Sequence, residues 1–372
     1  MIVRATPDAL VVGAGPWGLA SAWRLAAAGA RVTVLDDGDA PAGHVAAGML
    51  GPWSEAVPGE HALSALLQSA NARWPRFAAE LEDASGADAG LRACGALVVA
   101  ARREHVADVR ARAAILAGMG VPLAWSPGSR LRSLAPGLAP AVAGGLELPR
   151  EHRVETRALL PALRRACSAA GVMRVTATAR TLVRDAAGVV RGVVTGEGEE
   201  MRAAHVVLAA GWRSRGLAAG VPLRPVKGQI LRLRTRDGRC PLAQVVRTPS
   251  VYLVPLDGGR LAVGASSEEA ADRDATAGEV HRLLDEALHA VPGVRDAVVA
   301  ELVAGLRPVT PDGRPAVGAD PADGLVWATG GGRHGILLAP LAAELVVRAL
   351  AGGAADPAVS PERFGARAAV AA

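Results

Sequence analysis

The hydrophobic positions of this 372-residue chain fall into two textures. Wholly apolar runs recur at "ALVVGAG" (9–15), "GALVVAA" (95–101) and "HVVLAAG" (205–211). Such runs read as strands buried on both faces, and the first and third end in glycine. From 223 to 267 the texture turns to β-type alternation, in "KGQILRLR", "VVRTPSVYLVP" and "GRLAVGAS". Further strands are predicted at "RVTVLD" (31–36), "RVTATARTLVRD", "VVRGVVTG" and "GLVWATG". Helical spacing predicts helices over 17–28, 61–84, 102–118, 156–170, 276–290 and 336–351. Gly29, Gly171 and Gly352-Gly353 stand where three of them should stop. The stretch 125–145, "WSPGSRLRSLAPGLAPAVAGG", reads as an irregular crossover, and the closing "ARAAVAA" as a frayed tail. βαβ elements at both ends and in the middle, with β-rich segments between them, predict an α/β chain. Its nucleotide-type domain is discontinuous and carries an antiparallel-sheet cap.

Composition narrows the classes. Hydrophobic residues at 51% and charged residues at 21% describe a globular chain of one or two domains. The apolar stretch 9–29 is broken by four glycines and Arg24, so it fails as a membrane span. No signal peptide is recognised, and a cytoplasmic protein is expected. A net charge of +5 raises the question of nucleic acid, but the arginines are scattered and no stacking aromatics lie among them. Cys94, Cys167 and Cys240 are too few and too far apart for a disulfide framework or a metal cluster. Lys227 is the sole lysine and Tyr252 the sole tyrosine.

The first chemical motif is Gly13-Ala14-Gly15-Pro16-Trp17-Gly18, a glycine fingerprint set between strand and helix. Gly13 permits the tight turn, Gly15 lets a pyrophosphate approach the backbone, and Gly18 lets helix and strand pack closely. The helix start offers free amides and positive dipole character to the diphosphate. Asp36 closes the second strand, where a carboxylate can take both ribose hydroxyls and disfavours a 2′-phosphate. This signature does not separate NAD from FAD. A glycine-ended strand at 206–211 suits a flavoprotein, but an ordinary buried parallel strand would read the same.

Five stretches carry a resemblance that decides the matter. "VAAGMLGPWSE" (45–55), "RPVKGQILRL" (224–233), "VYLVPLDGGRLAVGAS" (251–266), "GLRPVTPDGRPAVG" (305–318) and "GGGRHGILLAP" (330–340) resemble the D-amino-acid oxidase superfamily. The nearest likeness is its glycine oxidase branch, and it runs over nearly the whole chain. The resemblance implies a Rossmann-like FAD-binding domain with an inserted antiparallel-sheet substrate domain. The former would take 1–90, 145–222 and 303–372, the latter 91–144 and 223–302. It further implies non-covalent FAD, an amine substrate, hydride transfer from Cα to flavin N5, hydrolysis of the imine, and H2O2 from O2. A homo-oligomer is implied too.

Carried onto matching positions, the resemblance puts Asp36 and Asp37 by the adenosine ribose and Pro16-Trp17 in the phosphate turn. Ala47-Gly48-Met49 would pass under the isoalloxazine, with Ala179 near the adenine. In "GGGRHGILLAP" (330–340), the backbone of Gly331, Gly332, Arg333, His334, Gly335, Ile336 and Leu337 would face the flavin. A helix start there would favour the reduced form. Arg307 and Tyr252 would hold the substrate carboxylate, a guanidinium being suited to two parallel charge-assisted bonds. Arg333 would lie beside the substrate, and no residue presents itself as a general base.

Several positions depart from the glycine oxidase pattern. Gly331 and Gly332 replace a bulky pair, His334 replaces an asparagine, and Ala42, Gly43 and His44 replace hydroxyl residues. "SSEEAADRDATAG" stands where apolar residues are usual. The glycine pair is expected to open volume for a larger N-substituent, as in an N-carboxymethyl amino acid, with Arg247 or Arg333 for its second carboxylate. An NAD-dependent dehydrogenase and a non-catalytic flavoprotein remain the alternatives.

Overall fold

The computed structural model describes residues 6–321 and 324–365, so the closing "ARAAVAA" lies outside the described residues. A six-stranded sheet runs in the order Ala316–Ala319, Val326–Thr329, His205–Leu208, Ala9–Val12, Val32–Asp36, Met173–Thr176. Every neighbouring pair is parallel except the first. Alternate residues of the apolar strands feed different cores. Ala9, Val11, Val34 and Val207 pack with helices Pro16–Ala27, His61–Ser85, Thr156–Ala169 and Ala339–Leu350. Leu10, Val12, Leu35, Val206 and Leu208 pack on the other side with Val190, Val193 and Trp327, near a three-stranded sheet, Ala179–Arg184, Val190–Thr195 and Glu200–Arg202. Burial on both faces is why these strands show no alternation.

An eight-stranded sheet forms the second layer system. Its order is Val298–Val309, Arg224–Arg234, Arg260–Gly264, Tyr252–Leu256, Val245–Arg247, Ala96–Val99, Gly144–Leu148, Trp125–Pro127. It is antiparallel apart from the parallel pairing of Val245–Arg247 with Ala96–Val99. Leu231, Leu233, Val263 and Leu253 cover one face, against Leu283 and Ala287 of helix Ala277–Ala290. The sheet takes in Gly144–Leu148 and the whole of Val298–Val309, so it runs past the expected boundaries at 145 and 303.

Two sequence expectations are corrected. The supposed crossover 125–145 contains strand Trp125–Pro127 and helix Gly128–Leu134. Its edge strand is stabilised by pairing with Gly144–Leu148, a partner that local spacing does not reveal, and Pro127 sits at its end where no ladder bond is lost. The last helix begins at Ala339 rather than 336, after a separate turn of 3₁₀-helix at Gly332–His334. Pro340 then falls in the first turn, where its missing N–H costs nothing. Among the described residues no helix is long and apolar enough to cross a membrane.

Candidate cofactor and substrate site

Between the two sheets runs a cavity of about 650 Å³, lined from Asp36 and Ala177–Arg180, past Gly13–Gly15 and Ala209–Gly211, to Tyr252, Arg307 and Arg333. Its first half is made by main chain. Gly13 has φ +108°, and a Cβ there would come 2.5 Å from the Ala209 carbonyl oxygen. A Cβ on Gly18 would overlap the Gly13 carbonyl, so this glycine sets the helix against the strand and does not itself line the cavity. Helix Pro16–Ala27 starts at Gly15 with no side-chain cap, leaving its dipole end for an anion. Asp36 accepts from the amides of Ala14 (3.0 Å) and Gly38 (3.3 Å). Asp37, Pro16, Trp17, Ala47, Gly48, Met49 and Ala179 all line the same cavity.

These features fit FAD. The cavity has a bare glycine turn where the diphosphate belongs and an acid at the ribose position. Arg213 spans Asp37 (3.0 Å) and Asp39 (2.9 Å), and Arg273 reaches Asp39 from the eight-stranded sheet side (3.0 Å). Arg232, buried in that sheet, donates to the carbonyls of His44, Val45 and Ala46, which anchors the segment leading to Ala47-Gly48-Met49.

The other half is made by side chains on one sheet face. Register explains their convergence: Tyr252 pairs with Arg247 on one side and Gly264 on the other, Gly264 pairs with Ile230, and Val226 pairs with Arg307. Ile230, Gly228 and Val226 alternate onto one face, and their partners follow. Two glycines clear the space. A Cβ on Gly264 would lie 2.6 Å from the Tyr252 hydroxyl, and one on Gly228 would overlap the Arg307 guanidinium.

Arg307 has no carboxylate partner among the described residues; Nη1 donates weakly to the carbonyls of Ser266 (3.2 Å) and Lys227 (3.4 Å). Burial raises the Tyr252 pKa, so its hydroxyl remains a donor. Arg247 Nη1 lies 3.3 Å from Glu55 Oε1, while its buried Nε has no partner. Burial alone would push Glu55 up, but His334, Arg247 and Arg333 outweigh it and hold the carboxyl at about 2.

The glycine-rich turn departs from expectation in three ways. His334 is 3% exposed, sits 3.2 Å from Glu55, and lies outside the cavity lining because the 3₁₀ turn folds it behind that carboxylate. Leu337 is also outside it, buried in the core, with its carbonyl accepting from Trp74 Nε1 (2.9 Å). Gly331 opens no volume: a Cβ there would meet the Trp17 ring at 2.7 Å, and Trp17 Nε1 donates to the Gly335 carbonyl. Only Gly332 faces space, with Val309 4.0 Å away. Arg333 lines the cavity, as do Gly335 and Ile336, but its guanidinium is paired with Glu60 at 2.6 Å and is 38% exposed.

Sequence reasoning missed Glu55. The signal was present, since a lone acid ends the otherwise apolar "VAAGMLGPWSE" segment. It also missed Glu151, 1% exposed, which accepts from the amides of Trp53 (2.9 Å) and Ser54 (2.6 Å) and so holds the loop bearing Glu55.

A dinucleotide cradle joined to a sheet face bearing a guanidinium without a carboxylate partner suits a dinucleotide-dependent oxidoreductase. The chain belongs to the DAO family of FAD-dependent oxidoreductases, whose model matches residues 8–349. FAD is its cofactor. Among characterised relatives, it is 35% identical to the glycine oxidase of Geobacillus kaustophilus, over 91% of each chain. It is 33% identical to the bifunctional ThiO/ThiG protein of Synechocystis sp., covering 97% of this chain but 55% of that one. The chain thus spans about half the length of the bifunctional relatives it matches. Its fold superposes on the Geobacillus glycine oxidase with a TM-score of 0.87, at 32% identity over 95% of this chain and 96% of that one. An iminodiacetate oxidase from Chelativorans sp. superposes with a TM-score of 0.85, at 26% identity over 95% of this chain and 98% of that one.

Proposed function

We propose that the protein is an amine oxidase acting on the glycyl carbon of glycine or a small N-substituted glycine. The balanced reaction is R–NH–CH2–COO⁻ + O2 + H2O → R–NH2 + OHC–COO⁻ + H2O2. The observation that carries this reading is Arg307, a guanidinium without a carboxylate partner, on the same sheet face as the Tyr252 hydroxyl. Bound FAD supplies the two-electron acceptor; the chain supplies position.

Arg307 offers two parallel N–H donors to a carboxylate, and Tyr252 adds a third. Together they fix the substrate's α-carbon, and such positioning lowers the barrier without a proton-transferring group. Among the described residues no strong base faces the cavity. Glu55, held at about 2, is too weak an acceptor at neutral pH, and His334 stands behind it. The amine therefore enters in its neutral form.

A second reading is favoured by the space beside Gly332 and by the likeness to an iminodiacetate oxidase. There the substrate is a larger N-carboxymethyl amino acid, and the released amine is itself an amino acid. The test is peroxide release by the purified yellow protein with glycine, sarcosine, D-alanine, iminodiacetate and a long-chain N-carboxymethyl-β-amino acid. Fastest turnover of glycine or sarcosine is expected. Turnover confined to the N-carboxymethyl compounds selects the second reading, and no peroxide from any of them overturns both.

A further inference from the structure

We propose that Glu55 is a charge filter that restricts this cavity to ligands with a single carboxylate. The proposal deepens the amine-oxidase reading and rests on its carboxylate subsite, but it concerns binding and is tested without turnover. The argument is a count of charges at the substrate end. Three guanidiniums line it: Arg307, Arg247 and Arg333. Arg333 is neutralised by Glu60, at 2.6 Å, and Arg247 by Glu55, at 3.3 Å. Arg307 alone has no carboxylate partner among the described residues. One uncompensated cation matches one carboxylate.

Glu55 differs from Glu60 in where it sits. Its side chain is 9% exposed and lines the cavity, whereas the side chain of Glu60 is 31% exposed and lies outside the lining. A second carboxylate brought toward Arg247 finds that cation already paired with the buried Glu55 charge. Like charges at close range in a poorly solvated site repel strongly, and such repulsion is how specificity against a wrong ligand is commonly built. The groups behind Glu55 do not face the ligand: His334 and Arg112 both lie outside the cavity lining, and Arg112 donates to the Ala56 carbonyl. Glu151 grips the Trp53 and Ser54 amides, so the Glu55 loop cannot easily swing away.

The test uses two ethers that cannot be oxidised as amines. Methoxyacetate carries one carboxylate, and diglycolate has the same skeleton with a second. Each is titrated into the FAD-loaded protein, and Kd is read from the change in flavin absorbance. The wild type is expected to bind methoxyacetate more tightly than diglycolate. Glu55→Gln should shift the Kd ratio toward diglycolate by about tenfold or more. Glu55→Asp, which keeps the charge, should retain the wild-type preference and so separates charge from loop packing. An unchanged ratio in Glu55→Gln, an Asp variant that behaves like Gln, or no binding of either ether overturns the filter. Failure of every amine to release peroxide, with the ratio shifting as expected, overturns the oxidase reading and leaves the filter standing.

Discussion

At the nucleotide end the cavity wall is backbone: a glycine turn, an uncapped helix start, and carbonyls held close by the absence of Cβ atoms. At the substrate end the wall is side chains: Arg247, Tyr252 and Arg307, placed by strand register on one sheet face, with Arg333 from the 3₁₀ turn and the buried carboxylate of Glu55 from a loop. The first kind of site tolerates no added atom, and the second tolerates no altered charge. The difference says which perturbation each end should feel.

The largest effect is expected from a single methyl group. In Gly18→Ala the new Cβ overlaps the Gly13 carbonyl, so helix Pro16–Ala27 must lift from strand Ala9–Val12. Loss of soluble, folded protein is expected, read from yield and circular dichroism. Gly15→Ala separates packing from ligand approach. Its Cβ meets only Pro41, at 3.7 Å, an ordinary contact. This variant should fold with a near-normal Tm yet purify colourless, because the methyl stands where the diphosphate approaches. A yellow Gly15→Ala protein would remove Gly15 from the cofactor site.

Next in size is Arg307→Ala. Charge-assisted hydrogen bonds contribute roughly 1.5–3 kcal/mol each, so losing two should lower kcat/KM by about 10²–10⁴-fold. The loss should fall mainly on KM, and FAD should stay bound because Arg307 stands on the substrate sheet. Arg307→Lys should not restore activity, a point charge being a poor substitute for a planar fork. Unchanged kinetics in the alanine variant would take Arg307 out of the site and break the contrast between the two ends.

The same contrast explains what could be read from residues alone. Gly13, Gly15, Gly18 and Asp36 were legible because a backbone site needs particular residues at fixed spacing, and spacing is what a sequence displays. Arg307 and Tyr252 became legible through family motifs. Their convergence depends on the pairing of Val226 with Arg307 and of Tyr252 with Gly264, 81 and 12 positions apart, which no local pattern encodes. Gly331 misled for the same reason. Removing a side chain was read as adding space, but Trp17, over 300 positions away, fills it. Glu55 drew no reading from the sequence, because its burial between Arg247 and His334 is a tertiary fact.

The smallest expected effect concerns pH, and it should reside wholly in the side-chain end. Glu151 has one oxygen bonded to two amides and the other without a partner. Burial, reinforced by the nearby Glu55 charge, raises its pKa from 4.5 to about 7 against the pull of the Trp53 and Ser54 amides. Between those values the folded protein keeps a proton that the unfolded chain has already released. Stability therefore falls as pH rises from about 4.5 to about 7, by on the order of 1–3 kcal/mol, and does not fall further from this group above that range. Glu151→Gln holds the same amide acceptor and cannot ionise, so its Tm should decline less than the wild type's between pH 5 and 8. Gly15→Ala, altered at the backbone end, should track the wild-type slope. Parallel slopes for wild type and Glu151→Gln would show that this carboxyl ionises in the folded state at its ordinary pH, and that the loop carrying Glu55 is held by a charged group rather than a neutral one.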